Sequence, residues 1–141
     1  MSTHRFTIDT QLDAVAGLSA QVSAACSALG LNQEAIWDLE LAIAEAASNV
    51  ISHGYGDRAG GSLAVEVHPD GVGVRVDVLD RGTPIPQGML EKAGLGDPPS
   101  DITDLADSGR GLALIKASVD GWSYETSPSG NRLSLVKHRA A

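Results

Sequence analysis

The sequence contains a single cysteine, Cys26. No intrachain disulfide can form, so the fold has to be held by a hydrophobic core. At 141 residues the chain suits a single domain, 1–141, with one core. A domain of this size buries roughly two-thirds of the surface its unfolded chain exposes, so it does not require cross-links. No apolar run approaches the roughly 18 residues of a membrane span. The stretch Met1 to Thr10 is polar and mixed, without the apolar centre of a secretory signal. These absences predict a cytoplasmic protein with no membrane partner. An excess of basic charge is also missing. The net charge is −8, with 10 Lys and Arg against 18 Asp and Glu. That argues against direct nucleic-acid binding, which leaves a basic footprint. It does not exclude a nucleotide, which backbone N–H groups, a helix terminus and a metal ion can hold. No pair of His or Cys stands at metal-ligand spacing, which argues against zinc. There is no internal repeat.

The elements present alternate between two periods. Arg5 to Asp9 reads as a short strand. Thr10 and Asp13 have the spacing of a capping box, and Leu12, Val15, Ser19, Val22, Cys26 and Leu29 follow at helical spacing up to Gly30. Asn32 is a good cap for a second helix reaching about Gly54, with Ile36, Leu39, Ile43, Ala47 and Val50 as its apolar stripe. Ser62 to His68 and Val72 to Leu79 alternate around a Pro69-Asp70-Gly71 turn and predict an antiparallel hairpin. Thr83 to Ser108 is polar and long for an inert connection, the character of a lid or binding loop. A helix from Arg110 to Val119 and strands Trp122 to Thr126 and Arg132 to His138 complete the chain. Helices mixed with antiparallel strands predict an α+β fold. Trp37 and Trp122 are expected to pack, and Cys26 is expected in the core.

Three short motifs carry chemistry. Glu45 and Asn49, four apart, share one face of the second helix, with Asp38, Ala42 and His53 roughly on it. A Glu can act as a general base and an Asn oxygen can ligate a hard cation. Alone, such a pair reads as a solvated helix face. Asp80-Arg81-Gly82-Thr83-Pro84 ends a hydrophobic strand. An Asp there can accept a hydrogen bond from an adenine amino group and Gly82 permits close backbone approach, although the same residues suit an ordinary turn. Ser108-Gly109-Arg110-Gly111-Leu112 opens a helix, and glycines at a helix N-terminus let N–H groups face phosphates. It is neither a dinucleotide fingerprint, which needs a small residue where Leu114 stands and a buried strand before it, nor a Walker loop, which needs Gly-Lys-Ser/Thr.

Together, in this order and spacing, the motifs resemble the three boxes of the GHKL ATPases, the superfamily of gyrase-type topoisomerases and sensor histidine kinases. Leu39 to Gly56 (LELAIAEAASNVISHGYG), DRGTPI, SGRGLALIKASVDG and the closing GNRLSLVKH look like those of the anti-sigma-factor serine/threonine kinases, over nearly the whole chain. The resemblance implies a two-layer α/β sandwich of Bergerat type, with a mixed, mostly antiparallel sheet and helices on one face, holding ATP and Mg²⁺. By the same resemblance Glu45 is the general base, Asn49 the magnesium ligand and Asp80 the adenine acceptor. Gly82, Gly109 and Gly111 shape the pocket and lid hinge, and Arg110 and Leu112 lie beside the phosphates by position. The implied activity is phosphorylation of a serine on a STAS-domain anti-anti-sigma protein, alternating with capture of a sigma factor, usually as a homodimer. A non-catalytic, nucleotide-gated binding module is the alternative. An isolated histidine-kinase domain is disfavoured because no phosphoacceptor-histidine helix pair stands in the chain. Two departures stand out. The second box, Asp-x-Gly-x-Pro, lacks the second glycine of the histidine kinases. Gly130-Asn131-Arg132 replaces a Gly-Thr-Thr run, so a hydrogen bond to adenine there has to come from Asn131, from water, or not at all.

Overall fold

A computed structural model describes residues 3–93 and 110–139. Its sheet has five strands: β1 (His4–Asp9), β2 (Ser62–Asp70), β3 (Gly73–Asp80), β4 (Gly121–Ser127) and β5 (Gly130–His138). Their spatial order is β1-β2-β3-β5-β4. Hairpins join β2 to β3 and β4 to β5, and every ladder among the described residues is antiparallel. Alternation along the strands turns Leu63, Val65, Val67, Val74, Val76, Val78, Leu133 and Leu135 into the core.

Helices cover that face. A short 3₁₀ turn (Leu12–Ala14) leads into α1 (Val15–Ala28), and α2 (Gln33–Asn49) continues through a π-helical turn (Val50–Gly54). After β3 come the single turn α3 (Met89–Lys92) and then α4 (Arg110–Ser118). The central helix, α2, packs against both α1 and α4. Its stripe of Ile36, Leu39, Ala42, Ile43, Ala46 and Ala47 is buried, and burying a Leu or Ile side chain contributes about 1.5–3 kcal/mol. Asn32 caps α2 as expected, Oδ1 accepting from Ala35 N–H at 2.8 Å, and Gly30, at φ +93°, ends the preceding segment. Lys137 fastens β5 to the helices, with Nζ 2.9 Å from Asp38 Oδ2 and 3.1 Å from Ser118 O. Among the described residues no helix is long and apolar enough to cross a membrane.

Three expectations are corrected. Thr10 forms no capping box, because its hydroxyl donates to Arg58 O and accepts from Gly61 N–H, tying β1 to the loop before β2. The apolar stripe of α1 runs through Val15, Leu18, Val22, Ala25 and Cys26, while Leu12 is exposed in the 3₁₀ turn and Ser19 is only half-buried. The tighter 3₁₀ winding ahead of α1 turns Leu12 off the stripe. Trp37 does not pack. It is 62% exposed on the outer side of α2, away from the buried stripe. Trp122 does pack against the core, with Lys116 Nζ 5.6 Å from its ring centroid.

Cys26 is buried to 1% exposure. Burial pushes its thiol from 9.0 up to about 12, so the nucleophilic thiolate is suppressed in the folded chain. A thiol reagent at mildly alkaline pH is expected to label Cys26 only as fast as the chain opens. Labelling of the native protein at the rate seen in denaturant would contradict this placement.

Candidate functional site

The site is built outward from α2. Glu45 and Asn49 stand one turn apart on the helix, both half-buried. The first turn of α4 crosses beside them. A Cβ placed on Gly111 would lie 2.9 Å from Glu45 Oε2 and 3.6 Å from Asn49 Nδ2. A side chain at this position would press on the Glu45 carboxylate as now placed and oblige it to shift.

At Val50 the helix widens. Tyr55 N–H bonds to Val50 O at 2.9 Å, the i→i+5 pattern of a π-turn. This brings the Gly54 backbone against the residues after β3. Thr83 N–H donates to Gly54 O at 2.7 Å. A Cβ on Gly82 would meet Gly54 O at 2.5 Å, so a side chain there is excluded by backbone rather than by a movable group. Tyr55 adds a strut, its hydroxyl donating to Ser62 O and accepting from Arg81 N–H, each at 2.9 Å.

Asp80, the last residue of β3, is held by two donors on one oxygen. Gly82 N–H and Asn131 Nδ2 each reach Oδ1 at 2.8 Å. Asn131 Nδ2 also donates to Gly82 O at 2.9 Å. Asn131 is buried and pairs with Asp80 in the β3–β5 register. Both N–H bonds of its amide are thus spent on positioning the Asp80 turn. Oδ2 of Asp80 accepts no hydrogen bond among the described residues.

Asp80 and Asn49 line one cavity of about 360 Å³, within the roughly 300–1,000 Å³ usual for small-molecule sites. Its walls are mainly apolar: Ala46, Val78, Ile85, Met89, Leu112 and Leu133. Tyr124 also lines it, its hydroxyl accepting from Ile85 N–H at 3.0 Å. Burial holds that phenol above its usual range, the Ile85 N–H acts in the opposite direction, and the Asp80 charge adds to the rise. Lys116 braces the segment beyond, donating to Glu91 O and Ala93 O at 3.0 and 2.9 Å.

The structure therefore gathers Glu45, Asn49 and Gly111 at one side of the cavity and Asp80 with Gly82 at another, with Leu112 in the wall. Glu45 stands beside Asn49, just outside the lining. Gly109 and the side chain of Arg110 lie outside the described residues, as do residues 94–108 of the lid or binding loop expected from Thr83 to Ser108. His53 is exposed at the rim. The wall supplied between Pro84 and Met89 falls in the stretch expected as a lid or binding loop. Two features were not evident in the sequence: the brace from Asn131 and the Tyr124 hydroxyl. The first could have been found by aligning β5 against β3, because the residue opposite Asp80 is the one able to hold it.

Removing the Asn131 amide leaves Asp80 Oδ1 one donor short. Asn131→Ala is expected to lower stability by about 1–3 kcal/mol, read from urea unfolding. An unchanged midpoint would show that the turn holds itself.

The chain matches the histidine kinase-like ATPase domain family over residues 8–137. It is 29% identical over 119 residues to the serine-protein kinase RsbW of Halalkalibacterium halodurans, covering 84% of this chain and 72% of that one. It is 35% identical over 128 residues to the anti-sigma F factor of Clostridium novyi, covering 82% and 80%. The solved RsbU and RsbW domains of Rv1364c from Mycobacterium tuberculosis superpose with a TM-score of 0.67 at 23% identity, a likeness of fold that covers all of this chain and 34% of that one. The chain belongs to the histidine kinase-like ATPase domain family, among relatives named as serine-protein kinases and anti-sigma factors.

Proposed function

We propose that the chain is an anti-sigma factor and an ATP-dependent serine kinase that phosphorylates a STAS-domain anti-anti-sigma protein. The observation that carries this reading is the meeting of Glu45 and Asn49 with Gly111 in the first turn of α4, beside a cavity that also holds a braced aspartate. The names of the relatives support a protein-serine substrate and a sigma factor, and the STAS-domain antagonist follows from the family resemblance. A cytoplasmic homodimer follows from the family resemblance.

The residues fit the nucleotide and its metal. Apolar walls with one carboxylate suit a flat purine that carries an amino group. Asp80 Oδ2 is the acceptor for that group, while Oδ1 is kept in place by Asn131 and Gly82. Val78, Leu112 and Leu133 exclude water around it. At the other side, Gly111 keeps α4 close enough for its first backbone N–H groups to face phosphate, where a helix N-terminus favours anions. The Asn49 side-chain oxygen is a hard donor suited to Mg²⁺. ATP supplies the transferred phosphoryl group, and Mg²⁺ offsets the charge on the phosphates. Glu45 orients the acceptor serine of the partner and takes its hydroxyl proton as the new P–O bond forms and ADP leaves.

Partner choice then follows from competition. One surface beside the site serves two proteins, and adding phosphate to one of them changes which binds better.

The two helix residues separate in their effects. Glu45→Ala is expected to retain ATP binding and slow transfer by about 10²- to 10⁴-fold, the usual contribution of a general base. Asn49→Ala is expected to remove the Mg²⁺ dependence of nucleotide binding. Calorimetry with Mg²⁺-ATP, run beside radiolabel transfer to STAS proteins of the same genome, measures both. Wild-type transfer rates in the Glu45 variant would refute the base assignment. Nucleotide binding without transfer to any STAS protein would favour the nucleotide-gated module instead.

A further inference from the structure

The sheet face turned away from the helices carries a polar cluster that takes no part in the nucleotide cavity. β2 and β3 pair so that Glu66 lies directly across from Asp77, and His68 across from Arg75. The alternating neighbours Val65, Val67, Val76 and Val78 fill the core, which turns Glu66, His68 and Asp77 to the opposite face.

Two carboxylates directly opposite one another repel, and here one of them, Asp77, has a side chain 0% exposed. The flanking arginines engage one oxygen of each: Arg5 pairs with Glu66 Oε2, and Arg75 Nε lies 3.2 Å from Asp77 Oδ1. The remaining oxygens converge on a single nitrogen. His68 Nε2 is 3.3 Å from Glu66 Oε1 and 3.2 Å from Asp77 Oδ2. Among the described residues, His68 Nε2 and both Asp77 oxygens are buried without a hydrogen-bond partner.

Ligands placed about 2.0–2.2 Å from a tetrahedral zinc ion sit about 3.3–3.6 Å from one another. The observed spacings of 3.2 and 3.3 Å are close to that range, and all three donor atoms fall within 4.8 Å of one another. We propose that Glu66, His68 and Asp77 form a divalent transition-metal site, best suited to Zn²⁺. One imidazole nitrogen favours zinc over magnesium or calcium, and two carboxylate oxygens complete three protein ligands. Thr3 Oγ1 lies 3.0 Å from His68 Nδ1; with Nε2 on the ion, Nδ1 would carry the ring proton and donate it to that hydroxyl, fixing the ring. This site is separate from the Mg²⁺ assigned to Asn49, because the sheet lies between them. No His or Cys pair announces it in the sequence, since the third donor arrives from the neighbouring strand.

The test is calorimetric titration of the chelator-stripped, nucleotide-free chain with Zn²⁺, beside the His68→Ala and Glu66→Gln variants, with His138→Ala as a control for chance surface binding. One ion per wild-type chain is expected. Both site variants should lose at least the roughly 10- to 100-fold in affinity that follows loss of a single outer-shell partner, and the control should not. Cobalt in place of zinc should show the visible bands of a low-symmetry, four-coordinate site. Absence of binding to the wild type, or affinity unchanged in either site variant, overturns the proposal.

Discussion

The cavity depends on one backbone contact, the seating of Gly82 and Thr83 on Gly54. The end of α2 and the end of β3 belong to different layers. A single N–H···O bond of 2.7 Å, with no side chain between the two backbones, joins them. Asn49 on the helix and Asp80 on the strand can line the same space only because of that junction. Much of the surrounding structure protects it. The π-turn redirects Gly54 toward β3, Tyr55 ties Arg81 to β2, and Asn131 locks the Asp80 turn from the neighbouring strand.

The two faces of the sheet have become chemically distinct. The helix-covered face is aliphatic and uniform, so its strands contribute to the cavity mainly through walls such as Val78 and Leu133. The other face carries charges in register. Arg5 meets Glu66, Glu66 meets Asp77, and Arg132 meets Glu125. In β3, Val78 faces the cavity while its near neighbour Asp77 faces the opposite side. Period-two geometry lets one strand serve the cavity and the charged cluster without mixing them.

Long periodic segments were legible from sequence because their burial depends on local spacing. The Ile36, Leu39, Ile43 and Ala47 stripe and the Asn32 cap of α2 are seen as expected. Errors arose where a side chain had a distant competitor. Thr10 looks like a cap when only its neighbours are considered, but the 58–61 loop offers it a better hydrogen-bond set. Trp37 looks like core by composition, yet α2 fills its buried side with smaller aliphatic residues and leaves the indole outside. For an adenine contact at this position the sequence leaves Asn131, water or nothing as options, and the structure spends the Asn131 Nδ2 on holding Asp80.

By itself the sequence determined the α+β class, the helical face shared by Glu45 and Asn49, and the order of the three motifs that marks the family. These depend on intervals along the chain, which are fixed once the local period is known. Only the tertiary structure decided which residues meet across elements. It brought Gly111 against Glu45, Gly82 against Gly54, Asn131 against Asp80, and Asp77 against Glu66 and His68. Those contacts depend on strand register and on the approach of one backbone to another. A shift of a single residue in register would send every one of the strand donors to the opposite face.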